Sequence, residues 1–213
     1  MSPLPVLAIP AITCHCFKDR FYEPARPAAA DPYLLATTQN TFFAIVFKVD
    51  KKTVVIKKQQ GISSDDLWIA YWIASKTGAS AEKLLQIKHN GGTWKDVVES
   101  QRLPGKEFGI PFTRALLAVF SPTLLAETVV DDTFMSYKLH SDVELLAIRQ
   151  AGASNQELIL ATLIAASTKQ PARQIYLNVK NGSKTWGALL ESAKINTKNL
   201  QQELSDILKL RPS

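Results

Sequence analysis

This 213-residue sequence is poor in the features that usually announce a function. It has two cysteines, three histidines, nine glycines and no apolar run near the ~20 residues that span a bilayer. Its longest apolar stretches, Leu4 to Ile12 and Leu67 to Ala74, are too short, and two prolines interrupt the first. That excludes a transmembrane helix from the reading. There is no G-x-S-x-G elbow, no glycine loop that could cradle phosphate, no H-E-x-x-H pair and no dinucleotide fingerprint. The histidines, His15, His89 and His140, are scattered along the chain. An enzyme is therefore not expected.

Charge of one sign is also thinly spread. The net charge is +6, but residues 31–109 carry +3, residues 121–213 carry +1, and the two remaining stretches carry +1 each. Nucleic-acid binders usually gather their basic residues on one face. The one local cluster is Lys48, Lys51, Lys52, Lys57 and Lys58, read as a solvated helix face or a patch for an anionic partner. A hydrophobic fraction of 46% is that of a folded globular chain. At this length roughly 70% of the unfolded surface can be buried, so neither disulfide nor metal is needed for stability.

What the chain does have is an internal repeat. Asp31-Pro32-Tyr33-Leu34-Leu35-Ala36-Thr37-Thr38 returns as Ser121-Pro122-Thr123-Leu124-Leu125-Ala126-Glu127-Thr128 at an offset of 90. Gly61, Ser63, Leu67, Ala70, Ile73, Asn90 and Gly91 return at 91, and Thr93-Trp94 and Glu99-Ser100 at 92. Such self-similarity speaks to architecture. The organisation expected is an N-terminal arm over 1–30, a helical repeat over 31–109, a connecting helix in 110–120 and a second repeat over 121–213.

Each copy checks the other. Thr41 to Lys57 alone looks like a β-hairpin. Its counterpart, Ser141 to Gly152, has a serine cap, acidic residues in the first turn and a terminal glycine, the marks of a helix. Asp50 to Gly61 matches it in length, so 51–60 is read as helical despite its β-branched run. Ser63 and Ser154 sit in cap positions before the apolar stretches 67–75 and 158–167, which read as central buried helices. Helices follow over 80–89 and 171–180, with Pro171 suited to a first turn and Asn90-Gly91 and Asn181-Gly182 as terminators. Trp94 and Trp186 open the last shared helices. Phe112 to Phe120 connects the copies, and Leu200, Leu204, Ile207 and Leu208 define a C-terminal amphipathic helix. The fold class expected is all-α, about ten short helices in two pseudo-symmetric units after an irregular arm.

The repeat leaves one cluster unexplained. Cys14-His15-Cys16 places two thiols one residue apart. Three readings stand: packing of the arm or an inert disulfide, an exchange-active pair, and a soft-metal site through Cys14 and Cys16 with His15 a poor third ligand. A complete tetrahedral site would need His89 or His140. No cofactor beyond such a metal is expected. Apolar residues with small ones before Cys14 resemble the end of a secretory signal without its basic start. Export to the periplasm or envelope is thus favoured over a cytoplasmic location. Just after, Arg20 is a candidate anion contact. Trp68, Trp72 and Trp94 form a candidate ligand wall, although Trp68 and Trp72 align with Ile159 and Leu163, which points to core packing.

The segment Asn181-Gly182-Ser183-Lys184-Thr185-Trp186-Gly187 resembles the tryptophan-anchored helical repeats of uncharacterised, often exported bacterial proteins. The likeness covers about 30 residues per copy, and the first copy departs from it with Lys95 in place of Gly187. It implies a helical fold and no assigned activity. The favoured function is a helical binding or structural protein that takes a protein partner or a small apolar ligand between its units. An alternative is DNA binding through two helix-turn-helix-like units, with Trp186 to Asn196 and Thr197 to Leu208 as one pair. Few arginines at the recognition positions make nucleic acid an unfavoured partner. A second alternative is a thiol-redox or metal function at Cys14 and Cys16.

Overall fold

The computed structural model describes residues 17–103 and 105–209. They are all-α: twelve α-helices and two 3-10 turns, with no strand among the described residues. In chain order the helices are α1 (Asp31–Val46), α2 (Lys51–Gln59), α3 (Ser64–Thr77), α4 (Ala81–His89), α5 (Trp94–Ser100) and α6 (Gly109–Leu117). The second half runs α7 (Pro122–Ser136), α8 (Asp142–Gln150), α9 (Asn155–Thr168), α10 (Ala172–Lys180), α11 (Trp186–Ser192) and α12 (Leu200–Lys209).

Local chemistry accounts for most boundaries. Asp50 caps α2 through Lys52 N–H, and Ser63 caps α3 through Asp66 N–H. Full capping boxes open α5 (Thr93 with Asp96), α8 (Ser141 with Glu144) and α9 (Ser154 with Glu157). Gly91 and Gly182 adopt φ values of 99° and 72°, the left-handed turn expected after their helices. Residues 51–59 are helical, so the hairpin reading of that stretch fails and the repeat-based one holds. Two boundaries differ from expectation. Pro171 is the cap residue of α10 rather than part of its first turn. The connecting helix ends at Leu117 because Ser121 already caps α7.

α1 and α7 lie beyond the sequence expectation, and they hold the molecule together. The most extensive packings are α7 on α3, α1 on α9, and α10 on α9, followed by α1 on α12 and α3 on α4. Thus α1 contacts α2 and α3 of its own half and also packs on α9 and α12, while α7 packs on α3 and α6. α6 stands to α7 as α12 stands to α1. Its buried Phe108 (in the turn before it), Phe112 and Leu116 lie 92 positions before the buried Leu200, Leu204 and Leu208. A single apolar core runs through both halves. Aromatic contacts cross it: Phe42 of α1 meets Phe134 of α7 at 5.4 Å between ring centroids, and Trp72 of α3 meets Phe112 of α6 at 4.4 Å.

The arm is pinned by the second half. Asp31 receives the N–H groups of Trp186 (3.1 Å) and Gly187 (2.9 Å), so the start of α1 caps α11 from 155 residues away. A Cβ on Gly187 would sit 2.8 Å from Cδ2 of Tyr22, closer than side chains tolerate. Gly187 is therefore small because the arm crosses it. Its counterpart in α5 is Lys95, which pairs with Glu99 at 3.9 Å.

Candidate functional site

Cys14, His15 and Cys16 lie outside the described residues, so the metal and disulfide readings have no structural counterpart. Among the described residues no group of three or more His, Cys, Asp and Glu side chains could hold a metal. His89 is exposed at the end of α4. His140 stacks on Phe134 and shares a 2.8 Å hydrogen bond with Thr162 Oγ1. Arg20 donates from Nε to the Phe17 carbonyl at 3.2 Å and lies 5.8 Å over the Tyr33 ring. It borders an open depression beside α11, near both Lys194 and Glu191.

The three tryptophans do not make a wall open to a ligand. Trp68, Trp72 and Trp94 are 1–3% exposed. Trp68 packs edge-on against Phe43 and Phe47. Trp72 donates to Asp132 at 3.0 Å, and Trp94 donates to Asp66 at 2.8 Å. All three indoles are packed inside the core, the role that the aliphatic counterparts of Trp68 and Trp72, Ile159 and Leu163, foretold.

The lysine cluster is not a solvated face. Only Lys48 and Lys52 are exposed. Lys57 pairs with Glu82 at 3.3 Å. Lys51 reaches back to Thr37 Oγ1 at 2.7 Å, and Lys58 to Asn40 Oδ1 at 2.5 Å. They meet a buried polar belt on α1, Thr37 through Thr41, whose five residues are at most 7% exposed. Burial without a carboxylate partner at hydrogen-bond distance pushes Lys58 down to about 8, with Asp65 opposing, and lowers Lys51 as well.

The feature with the form of a ligand site lies on the other half, between α6, α7 and α8. This cleft of about 370 Å³ is floored by buried Phe108, Phe112 and Leu145. Its rim is apolar but open, with Phe120, Leu124 and Leu146 at 48%, 47% and 59% exposure. Such a volume matches a small-molecule pocket. Among the described residues four carboxylates line it, Glu127, Asp131, Asp132 and Asp142, against one cation, Arg149.

That guanidinium is fully committed. Arg149 donates to Asp131 at 2.7 and 3.1 Å, to Asn155 at 2.6 Å and to the Ala153 carbonyl at 3.0 Å. Asp132 is held by Trp72 and by Lys76 at 3.5 Å. Glu127 is different. It is half-buried, and no donor among the described residues reaches its carboxylate. Burial raises its pKa, with Arg149 acting in the opposite sense and Asp131 and Asp65 reinforcing it. Sequence reading passed over this residue because its copy-mate, Thr37, is an ordinary helix residue. The signal that was available is the substitution of a carboxylate for a hydroxyl at a position shared by both copies.

No helix among the described residues is long and apolar enough to cross a membrane. Comparison with protein-family models, curated proteins and solved structures finds no match to the chain.

Proposed function

We propose that this chain is a non-enzymatic binding protein that takes a small, largely apolar ligand in the cleft between α6, α7 and α8. The observation that carries the reading is the cleft itself: an apolar floor, an open apolar rim and a few polar groups at one end. Three apolar side chains left half-exposed around a concavity are the mark of a surface awaiting cover. The cleft joins the last helix of one half to the first two of the other, the place where a duplicated fold leaves space between its units.

The same reading treats the chain as two copies of a six-helix unit. Helix lengths support it: nine residues in α2, α4, α8 and α10, fourteen in α3 and α9, and seven in α5 and α11. On that view α6 is the sixth helix of the first unit rather than a linker, because its buried positions answer those of α12. Export and relationship to tryptophan-anchored bacterial repeats remain part of the proposal, carried by the sequence alone.

Titration with the neutral apolar dye Nile red tests the cleft. The expected result is a saturable fluorescence rise with one site per chain, weakened at least tenfold by Leu124→Glu or Leu146→Glu. Both side chains are about half exposed, so the substitutions leave the core intact. Absence of saturable binding, or binding indifferent to both substitutions, would contradict the proposal.

A further inference from the structure

The two halves treat one position in opposite ways, and the difference defines the ligand's chemistry. In the first half Thr37 on α1 accepts a hydrogen bond from the Lys51 ammonium, which reaches across from the first turn of α2. The counterpart of Thr37 on α7 is Glu127, and the counterpart of Lys51 on α8 is Asp142. The acceptor has thus become a carboxylate while the residue that supplied the ammonium has become an acid. In the first half a smaller cavity of about 250 Å³ is lined by Thr41, Ile45 and Lys51. Their counterparts Asp131, Met135 and Asp142 line the larger cleft of the second half.

The second half therefore has the same frame with the Lys51 ammonium replaced by the Asp142 carboxylate and its acceptor made anionic. A half-buried carboxylate with no donor carries a desolvation cost that a cation brought from outside would offset. Arg149, the one cation that lines the cleft among the described residues, is already spent on Asp131, Asn155 and a carbonyl.

We infer that the α6/α7/α8 cleft binds a small amphiphilic amine, its ammonium donating to Glu127 where Lys51 donates to Thr37, its apolar body on Phe112, Phe120, Leu124 and Leu146. The aromatic floor adds favourable ring faces for a cation. The cleft volume commits the proposal to a small free ligand rather than a protein segment. The inference rests on the cleft reading above and adds the charge of the occupant.

The test uses the full chain and three probes of equal length, decylammonium, decanol and decanoate, each below its micelle concentration, competing with Nile red. Decylammonium is expected to displace the dye at a concentration at least tenfold lower than decanol, with decanoate weakest. A charge-assisted hydrogen bond in a partly desolvated site accounts for a factor of that size. Glu127→Gln is expected to bring decylammonium to within about threefold of decanol, as one charge-assisted contact is lost. Its thermal unfolding checks that the variant is folded.

Equal displacement by the three probes overturns this inference and leaves the cleft reading standing. Failure of all three to displace bound dye also overturns this inference alone, whereas absence of saturable dye binding overturns both. A decylammonium preference that survives Glu127→Gln also overturns it, since the discriminating group would lie elsewhere. So does binding of a basic amphipathic Leu/Lys peptide without binding of decylammonium, which would make the site a protein-docking surface.

Discussion

Single residues show where burial, rather than composition, sets behaviour. Lys58 donates to Asn40 from a site that pushes its pKa down to about 8. In the unfolded chain the same amine titrates near its ordinary value of 10.5. Below pH 8 both states carry the proton, and the folded protein bears the full cost of a buried charge. Between pH 8 and 10 the folded state sheds its proton first, so folding stability rises with pH. The contribution of Lys58 reaches up to ~3 kcal/mol at the top of that window, and Lys51 adds in the same direction. Above pH 10 Tyr71, pushed up to about 12, acts in the opposite sense. Urea denaturation from pH 7 to 10 should show the rise, and Lys58→Met should flatten most of it. A slope unchanged in that variant would refute the assignment. The lysines themselves were legible in the sequence, but their inward direction was not. A run such as Thr37-Thr38-Gln39-Asn40-Thr41 reads as solvent-facing, and it is buried only because α2 and α9 bring Lys51, Lys58 and Gln156 to it.

At the scale of elements, what was legible was whatever the chain settles within a few residues. The caps Asp50, Ser63, Ser141 and Ser154 act where their side chains and spacing placed them. The repeat corrected a strand-like run into α2 because the second copy carried clearer capping chemistry. α1 was missed, since its start has no side-chain cap of its own and its interior mixes buried polar and aromatic residues. The pairing of Asp31 with α11 was equally invisible, being a contact across 155 residues. Asp31→Ala should cost ~1 kcal/mol by removing a shared cap, seen as a lower midpoint in thermal unfolding. Gly187→Ala should cost ~1–3 kcal/mol by driving a methyl into Tyr22, whereas Lys95→Ala, at the matching position of α5, should stay within about 0.5 kcal/mol. Equal effects at the two positions would mean that the arm does not pack on α11.

For the whole molecule, the consequence of the topology is that neither half holds all of its own core. α1 packs Phe43 and its cap residue Phe47 on α3 of its own half but buries another face against α9 and α12, and α7 packs on α3 and α6. A fragment ending at residue 120 would leave the apolar face of α1 without α9 and α12. It is expected to lack a cooperative denaturation transition, and mixing it with a fragment beginning at residue 121 should restore one. Independent cooperative folding of either fragment would contradict a shared core. The all-α class and ten of the twelve helices were legible from caps and periodicity settled within each segment, while α1 and α7 were not. The packing of α1 and α7 across the halves was not legible, because similarly patterned helices can pack with their own or with each other's partners without a local sequence signal.

Where Lys51 supplies an ammonium to Thr37 in the first half, the α6/α7/α8 cleft carries Asp142 beside Glu127. Asp142→Lys restores a lysine at the matching first-turn position of α8, with the Ser141–Glu144 capping box left in place. Isothermal titration of decylammonium into this variant measures whether an internal ammonium competes for Glu127. The introduced amine should occupy Glu127 and weaken decylammonium binding at least tenfold relative to the unsubstituted chain, with Asp142→Asn showing a smaller loss. Undiminished decylammonium affinity in Asp142→Lys would contradict an amine site at Glu127.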